Sequence, residues 1–265
     1  MAQDPTELHN NPGDIRSWPI LKVDYATDPA KVAALLPPGI EPSDTTNVHL
    51  SFYNVPVPDE PESGLKITVD ADYDGTKGEF ALCYAIDREA AVWMSANTTG
   101  QPKVLATLDY YRLIDKIRAR CTHQGYTFAE YSGKITGVMD APEGYEGHEW
   151  WIKSSRSASM APGEWDFPPH VVTVHDKFAP KLWQSVEGEL ILRESPWDPI
   201  ADLLPVKGEP SARLVNEQLL AHDIALAKPL DAQAFEPFAS TISSSRWPGV
   251  MGGPTREVDY SAYLT

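Results

Sequence analysis

Lys103 has the surroundings that most suggest chemistry. It follows an apolar stretch, Ala90 to Met94, and a small-polar stretch, Ser95 to Gly100. Its neighbours are Pro102, Val104, Leu105 and Ala106. An amine carried into apolar surroundings loses hydration of its charged form, so its pKa is expected to fall. A neutral amine attacks a ketone and forms a Schiff base. The iminium then accepts electrons from the neighbouring carbon. That serves decarboxylation of a β-keto acid, removal of an α-proton, or carbon–carbon bond formation through an enamine. A Pro-Lys pair equally suits a surface turn, and the chain has twelve lysines.

Other chemistry-bearing types are less pointed. Seven histidines invite a metal. His148-Glu149-Trp150-Trp151 opens like HExxH but lacks the second histidine. His170 and His175 are five apart, so on a strand they face opposite sides. Hydrogen-bonded or surface histidines are the expectation, with no metal. Glu60/Glu62 and Asp70/Asp72/Asp74 read as solvated loop charges, because no EF-type loop surrounds them. Trp150 and Trp151 read as core or interface. No dinucleotide GxGxxG, P-loop or GxSxG elbow is present.

The chain that must position these groups has 265 residues, 42 % apolar and 23 % charged, which excludes a disordered polymer. Its formal charge of −16 repels phosphate backbones and anionic bilayers, so neither nucleic acid nor membrane is an expected partner. Two cysteines, Cys83 and Cys121, build no disulfide framework. No apolar run is long enough to span a bilayer, and Met1 to Gly13 shows no apolar leader core. A soluble cytoplasmic protein with a single domain over 1–265 is expected, with 1–14 and 243–265 as tails.

Trp18 to Tyr25 reads as a strand. Asp28 caps a short helix with Pro29 at its first position, stopped by Pro37-Pro38-Gly39. His49 to Val57 reads as a strand, and Asp59 to Gly64 as an acidic loop. Ile67 to Tyr73 alternates apolar and polar, and Asp74-Gly75 signals a hairpin to Glu79–Ile86. Ala90 to Met94 reads as a further buried strand. Tyr110 to Cys121 places Leu113, Ile114, Ile117 and Cys121 on one helical face, with a strand as the alternative for its C-terminal half. Strand patterns follow at Thr127–Val138, His148–Ser155, His170–Phe178, Ser185–Arg193 and Gln218–Ala227. The fold class is α+β and β-dominated, an antiparallel sheet with helical trim.

Gly78-Glu79-Phe80, the strand through Ile86-Asp87, and above all Gln101-Pro102-Lys103-Val104-Leu105-Ala106 resemble the acetoacetate decarboxylase superfamily. Val32 to Ile40 (VAALLPPGI) and Trp197 to Val206 (WDPIADLLPV), followed by Glu217 to Ala227, agree in register. The resemblance implies an antiparallel β-barrel or cone with a few flanking helices. It implies a homo-oligomer of four or more, no cofactor, and a Schiff-base lysine in a largely apolar cavity. That lysine is Lys103. The family's second lysine is Val104 here, and its Gly-Arg-Glu run is Ser95-Ala96-Asn97. Glu62 matches the family's loop glutamate as general acid/base. Arg16 lies nearest the arginine of decarboxylase pockets. Gln101, two residues before the lysine, is a candidate to bind a substrate carboxylate or hydroxyl.

With the lysine kept and decarboxylase surroundings lost, the resemblance implies a divergent branch acting on pyruvate or a related 2-oxo acid by aldolase-dehydratase or hydratase-like chemistry. The alternatives are true acetoacetate decarboxylation and a non-catalytic small-molecule-binding protein of the same fold. Tyr260 or Tyr263 could cap the cavity.

Overall fold

The computed structural model describes residues 18–55, 61–159 and 161–239. The expected tails, Arg16, Asp59, Glu60, Tyr260 and Tyr263 lie outside them. Strands dominate: β1 (Ile20–Ala26), β2 (Glu41–Pro42), β3 (Asn47–Val55), β4 (Glu62–Tyr73), β5 (Thr76–Ile86), β6 (Lys103–Leu105), β7 (Thr107–Leu113), β8 (Lys116–His123), β9 (Tyr126–Val138), β10 (Tyr145–Arg156), β11 (Trp165–Leu192) and β12 (Lys207–Pro229). Helices are short: α1 (Pro29–Leu35), α2 (Glu89–Thr98), α3 (Ile200–Leu203) and α4 (Ala232–Phe235). None is long and apolar enough to cross a membrane.

The sheet runs β10-β5-β4-β3-β1-β12-β11, and β10 also pairs with β11. Those seven strands therefore close on themselves, which removes exposed edges. Closure uses a brief parallel contact of Glu149 with Glu79 and Trp150 with Phe80. The long strand β11 serves both parts of the fold. Its first half pairs β10, and its second half pairs β9 and so carries the β9-β8-β7 extension.

Alternation sorts the strands into two faces. Leu21 and Val23, Leu50 and Phe52, and Leu65, Ile67 and Val69 are fully buried in the main apolar cluster. The intervening residues, Lys22 and Asp24, His49, Ser51 and Tyr53, Glu62 and Lys66, lie on the opposite face. Lys22, Ser51, Lys66, Tyr84 and Lys103 are successive cross-strand partners, so a polar row crosses five strands.

The expected hairpin at Asp74-Gly75 is present, with φ of 49° and 79°, the left-handed pair that a tight turn between twisted strands needs. Asp28 caps α1 by accepting from the Ala30 amide at 3.0 Å. Trp150 and Trp151 are buried, as expected. Three expectations are corrected. Ala90–Met94 lies in helix α2, which buries none of its residues, because it is the crossover joining β5 to its parallel neighbour β6. Tyr110–Cys121 is the β7–β8 hairpin, not a helix. Ile114 turns it with φ of 57°, and the alternation of Ile117, Ala119 and Cys121 toward the core was masked by apolar residues at helical spacing. His170–Phe178 and Ser185–Arg193 are parts of one strand whose pairing slips near Pro180.

Candidate active site

The short strand β6 delivers Lys103. It pairs in parallel with β5, and the Tyr84 amide donates to the Pro102 carbonyl at 2.9 Å. Pro102 itself lacks an N–H, so it can stand at the strand's threshold without leaving a donor unmet. Alternation sends Lys103 to the polar face, while Val104 packs on the apolar cluster. A second lysine at position 104 would be aimed away from the site.

Glu62 is the first residue of β4, not a member of a solvated loop, and its side chain is 8 % exposed. The Lys103 ammonium, 11 % exposed, donates to both its oxygens, at 3.0 and 3.3 Å. Tyr53 on β3 donates its phenol to Glu62 Oε1 at 3.0 Å. It gets there by lying across Gly64, its cross-strand partner. A Cβ on residue 64 would sit 2.2 Å from the ring, so only glycine lets the phenol pass. Burial, then the Glu62 charge, pushes the Tyr53 phenol well above its usual pKa, so it stays a donor. The expectation of a lysine in a largely apolar cavity is thereby corrected. Its nitrogen is nearly dry, but it faces a carboxylate.

Glu62 and Tyr53 line a cavity of about 340 Å³ on the polar face. Lys103 lines a more open cleft of about 980 Å³ bordered by α2, β6, β7 and the β8–β9 turn. The ion pair therefore joins one residue from the lining of each hollow.

The cavity holds other charges. Lys66 pairs with Glu149 at 2.8 Å and lies 3.6 Å from Glu79. Tyr84 and the Trp151 indole also donate to Glu149. Burial alone would lower the Lys66 pKa, but the Glu149 and Glu79 charges outweigh it and hold the ammonium well above the usual lysine value. Lys22 pairs with Glu217 at 2.7 Å and donates to the Tyr145 hydroxyl at 3.2 Å. Burial lowers its pKa against the opposing pull of Glu217.

Of the sequence-derived candidates, Lys103 and Glu62 are brought together. The Gln101 side chain hydrogen-bonds the Tyr84 phenol instead of standing free for a substrate. Arg16 lies outside the described residues. Sequence reasoning missed Tyr53, Lys66 and Glu149. A signal for the first two existed: Glu62, Gly64 and Lys66 repeat with period two on the strand that was started too late, at Ile67. His49, His123, His170, His175 and His222 are hydrogen-bonded, as expected. His148 and His175 are directly opposite each other on β10 and β11, with Glu146 beside them.

The acetoacetate decarboxylase (ADC) family profile matches residues 2–229. Acetoacetate decarboxylase from Legionella pneumophila has the same fold, with a TM-score of 0.65 and 17 % identity over 78 % of this chain and 84 % of that one. The enduracididine biosynthesis enzyme MppR complexed with pyruvate superposes with a TM-score of 0.62 and 14 % identity, covering 78 % and 87 %. An acetoacetate decarboxylase-like enzyme from Sphingomonas wittichii gives 0.60 and 16 %, covering 80 % and 90 %. No curated protein sequence is similar enough to this chain to count as a match. Fold and profile agree: the chain belongs to the acetoacetate decarboxylase family.

Proposed function

We propose that the protein is a Schiff-base lyase that condenses pyruvate, or a related 2-oxo acid, with an aldehyde and then removes water. The observation that carries this reading is the nearly buried Lys103–Glu62 contact at 3.0 Å, backed by Tyr53.

An ion pair at a nucleophilic lysine looks at first like an obstacle. The charge balance says otherwise. An ammonium and a ketone give an iminium and one water, with three hydrogens and one positive charge on each side. The nitrogen is cationic before and after, so one carboxylate serves as counter-ion to both. In between, the amine must be neutral to attack, and Glu62 is in reach to hold the proton. Tyr53 keeps a donor on Glu62 throughout, so the carboxylate is never left bare in a site where an unpaired charge is costly.

The next step fits the same pair. Removal of an α-proton from the iminium by Glu62 gives a neutral enamine and a neutral carboxylic acid. Both buried charges disappear together, and no isolated ion remains. The enamine carbon then attacks the aldehyde. Glu62 returns its proton to the new alkoxide, then takes the second α-proton and passes it to the β-hydroxyl, which leaves as water; hydrolysis of the unsaturated iminium frees Lys103 and an unsaturated 2-oxo acid. Arg16 is the proposed partner of the substrate carboxylate. It stands four residues before Ile20, which lines the cavity. A protein of this fold, MppR, has been seen with the condensation product of pyruvate and imidazole 4-carboxaldehyde, which is the type of product proposed here.

Incubation with pyruvate and borohydride tests the reading. A stable mass increment on the peptide containing Lys103, together with an absorbing unsaturated acid when an aldehyde is added, is the expected result. Absence of any adduct would leave a binding protein of this fold. Rapid carbon dioxide release from acetoacetate would instead make it a decarboxylase.

A further inference from the structure

At the edge of the cavity, which His148 borders, one group of side chains is arranged for a ligand that the proposed reaction does not use. Glu146 and His148 are two apart on β10, so they share a face. His175 on β11 is the direct cross-strand partner of His148, and Lys177 is that of Glu146. Directly opposed residues bring their Cβ atoms to about 5 Å, close enough for two imidazoles to reach a common ion. One donor atom from each of Glu146, His148 and His175 lies within 4.8 Å of the others. His175 Nε2 is already 2.8 Å from Glu146 Oε2. Glu149 and Trp151, the alternate residues of β10, serve the cavity network, so the cluster is on the other face of the strand.

We propose that Glu146, His148 and His175 form a binding site for a borderline divalent cation of the zinc class. Two imidazoles and one carboxylate are the donor set that suits such an ion, with a water completing four-coordination. The site needs only side-chain motion. At bond lengths of about 2.0–2.1 Å, tetrahedral donors stand about 3.3 Å apart, so His175 and Glu146 separate by about half an ångström. The two rings are stacked, with centroids 4.5 Å apart and planes 9° apart. Parallel rings cannot both aim an in-plane lone pair at one ion, so one ring must turn about its terminal torsion. That rotation is soft.

Lys177 opposes the ion. Its ammonium lies 2.9 Å from Glu146 Oε1 and occupies the carboxylate from the other side. This gives the proposal a variant that should improve binding instead of abolishing it. Asp223, paired with His175 across β12, faces the same side and adds negative charge next to the site. A bound ion would clip β10 to β11 across the strand pair that closes the ring, so binding must raise thermal stability by mass action.

The experiment is calorimetric titration of the full tag-free chain with Zn²⁺, followed by thermal unfolding with and without the metal. One equivalent is expected, with a higher Tm. His148→Ala and His175→Ala should each weaken binding at least tenfold, and Lys177→Met should tighten it severalfold. His175→Asn serves if an alanine variant fails to fold, judged by circular dichroism. Co²⁺ in place of Zn²⁺ should show the intense visible absorption of a four-coordinate site. Equal Zn²⁺ affinity in the wild type and the His148→Ala/His175→Ala double variant would overturn the proposal, as would no effect of Lys177→Met. Neither result bears on Schiff-base formation at Lys103, which borohydride trapping reads separately.

Discussion

Lys103 and Lys66 stand in one row of cross-strand partners on the polar face, with Tyr84 between them, and their partners differ in number. Lys66 has Glu149 at 2.8 Å and Glu79 at 3.6 Å. Two carboxylates around one ammonium over-determine its charge, and its pKa is held well above the usual lysine value. Among the described residues Lys103 has one carboxylate, and that carboxylate already has a second donor in Tyr53. A single shared partner lets a proton pass between nitrogen and oxygen without stranding a charge. On the proposed reading, the difference separates a lysine that fixes the field of the cavity from the one that forms the Schiff base. The sequence singles out Lys103 by its apolar neighbours and by the family resemblance, but it does not show the carboxylates that set it apart from Lys66.

The comparison is broken most directly by removing each amine in turn. Lys103→Ala should reduce turnover to the uncatalysed background and abolish the borohydride adduct. Lys66→Met should leave the adduct in place and instead lower stability by about 3 kcal/mol, because Glu149 and Glu79 lose their shared cation. The figure sits at the low end for a buried pair because Glu149 keeps Tyr84 and Trp151 as donors, and Lys66 is 25 % exposed. An adduct found on Lys66 or Lys22 when Lys103 is absent would reverse the assignment.

Glu62→Gln sharpens the same contrast one step later. It keeps the size and a hydrogen bond but cannot take a proton. Imine formation should remain measurable, while exchange of pyruvate methyl protons with solvent deuterium slows about 100-fold, the usual worth of a general base. Unchanged exchange would assign the base to another of the cavity carboxylates. Tyr53→Phe removes only the supporting donor. Its expected effect is about 5-fold on exchange, equivalent to about 1 kcal/mol, with trapping intact. A loss as large as that of Glu62→Gln would make the phenol the proton carrier itself.

Much of this face was legible before any coordinates. The β4–β5 hairpin follows from alternation plus Asp74-Gly75, and the candidacy of Lys103 from its apolar neighbours and the family resemblance. What hid was long-range pairing. Glu62 reads as a residue of an acidic loop because its partner lies 41 positions on, and Tyr53 reads only as one residue of the His49–Val57 strand. Gly64 carries the clue, since a glycine inside a strand marks a close approach, here of the Tyr53 ring. The two misread segments failed for a common reason. Ala90–Met94 and Leu113–Cys121 are rich in apolar residues that suit helix and strand alike, and only the crossover and the turn at Ile114 decide between them.

A third cluster on the polar face tests whether sharing a charge between two carboxylates is what fixes it. His49 bonds Asp24 at 2.7 Å and Asp70 at 2.8 Å, the same one-cation, two-carboxylate pattern as Lys66. Burial opposes its charge, but the hydrogen bonds to Asp24 and Asp70 outweigh this and raise its pKa to about 10. Asp70 in turn is lowered to about 2, its burial outweighed chiefly by the His49 hydrogen bond. A raised pKa stabilises the fold fully below the unfolded value of about 6.5 and loses that contribution as pH climbs through 10. The lowered aspartate contributes above about 3.9 and fails as pH falls through 2. His49→Gln should therefore cost most near pH 5–6, by about 1 kcal/mol after screening of a cluster that remains partly exposed. The gap in urea midpoint between wild type and variant should narrow steadily from pH 6.5 to pH 10. A gap that stays constant over that range would mean the imidazole is held by shape and not by charge, and the argument that fixes Lys66 would weaken with it.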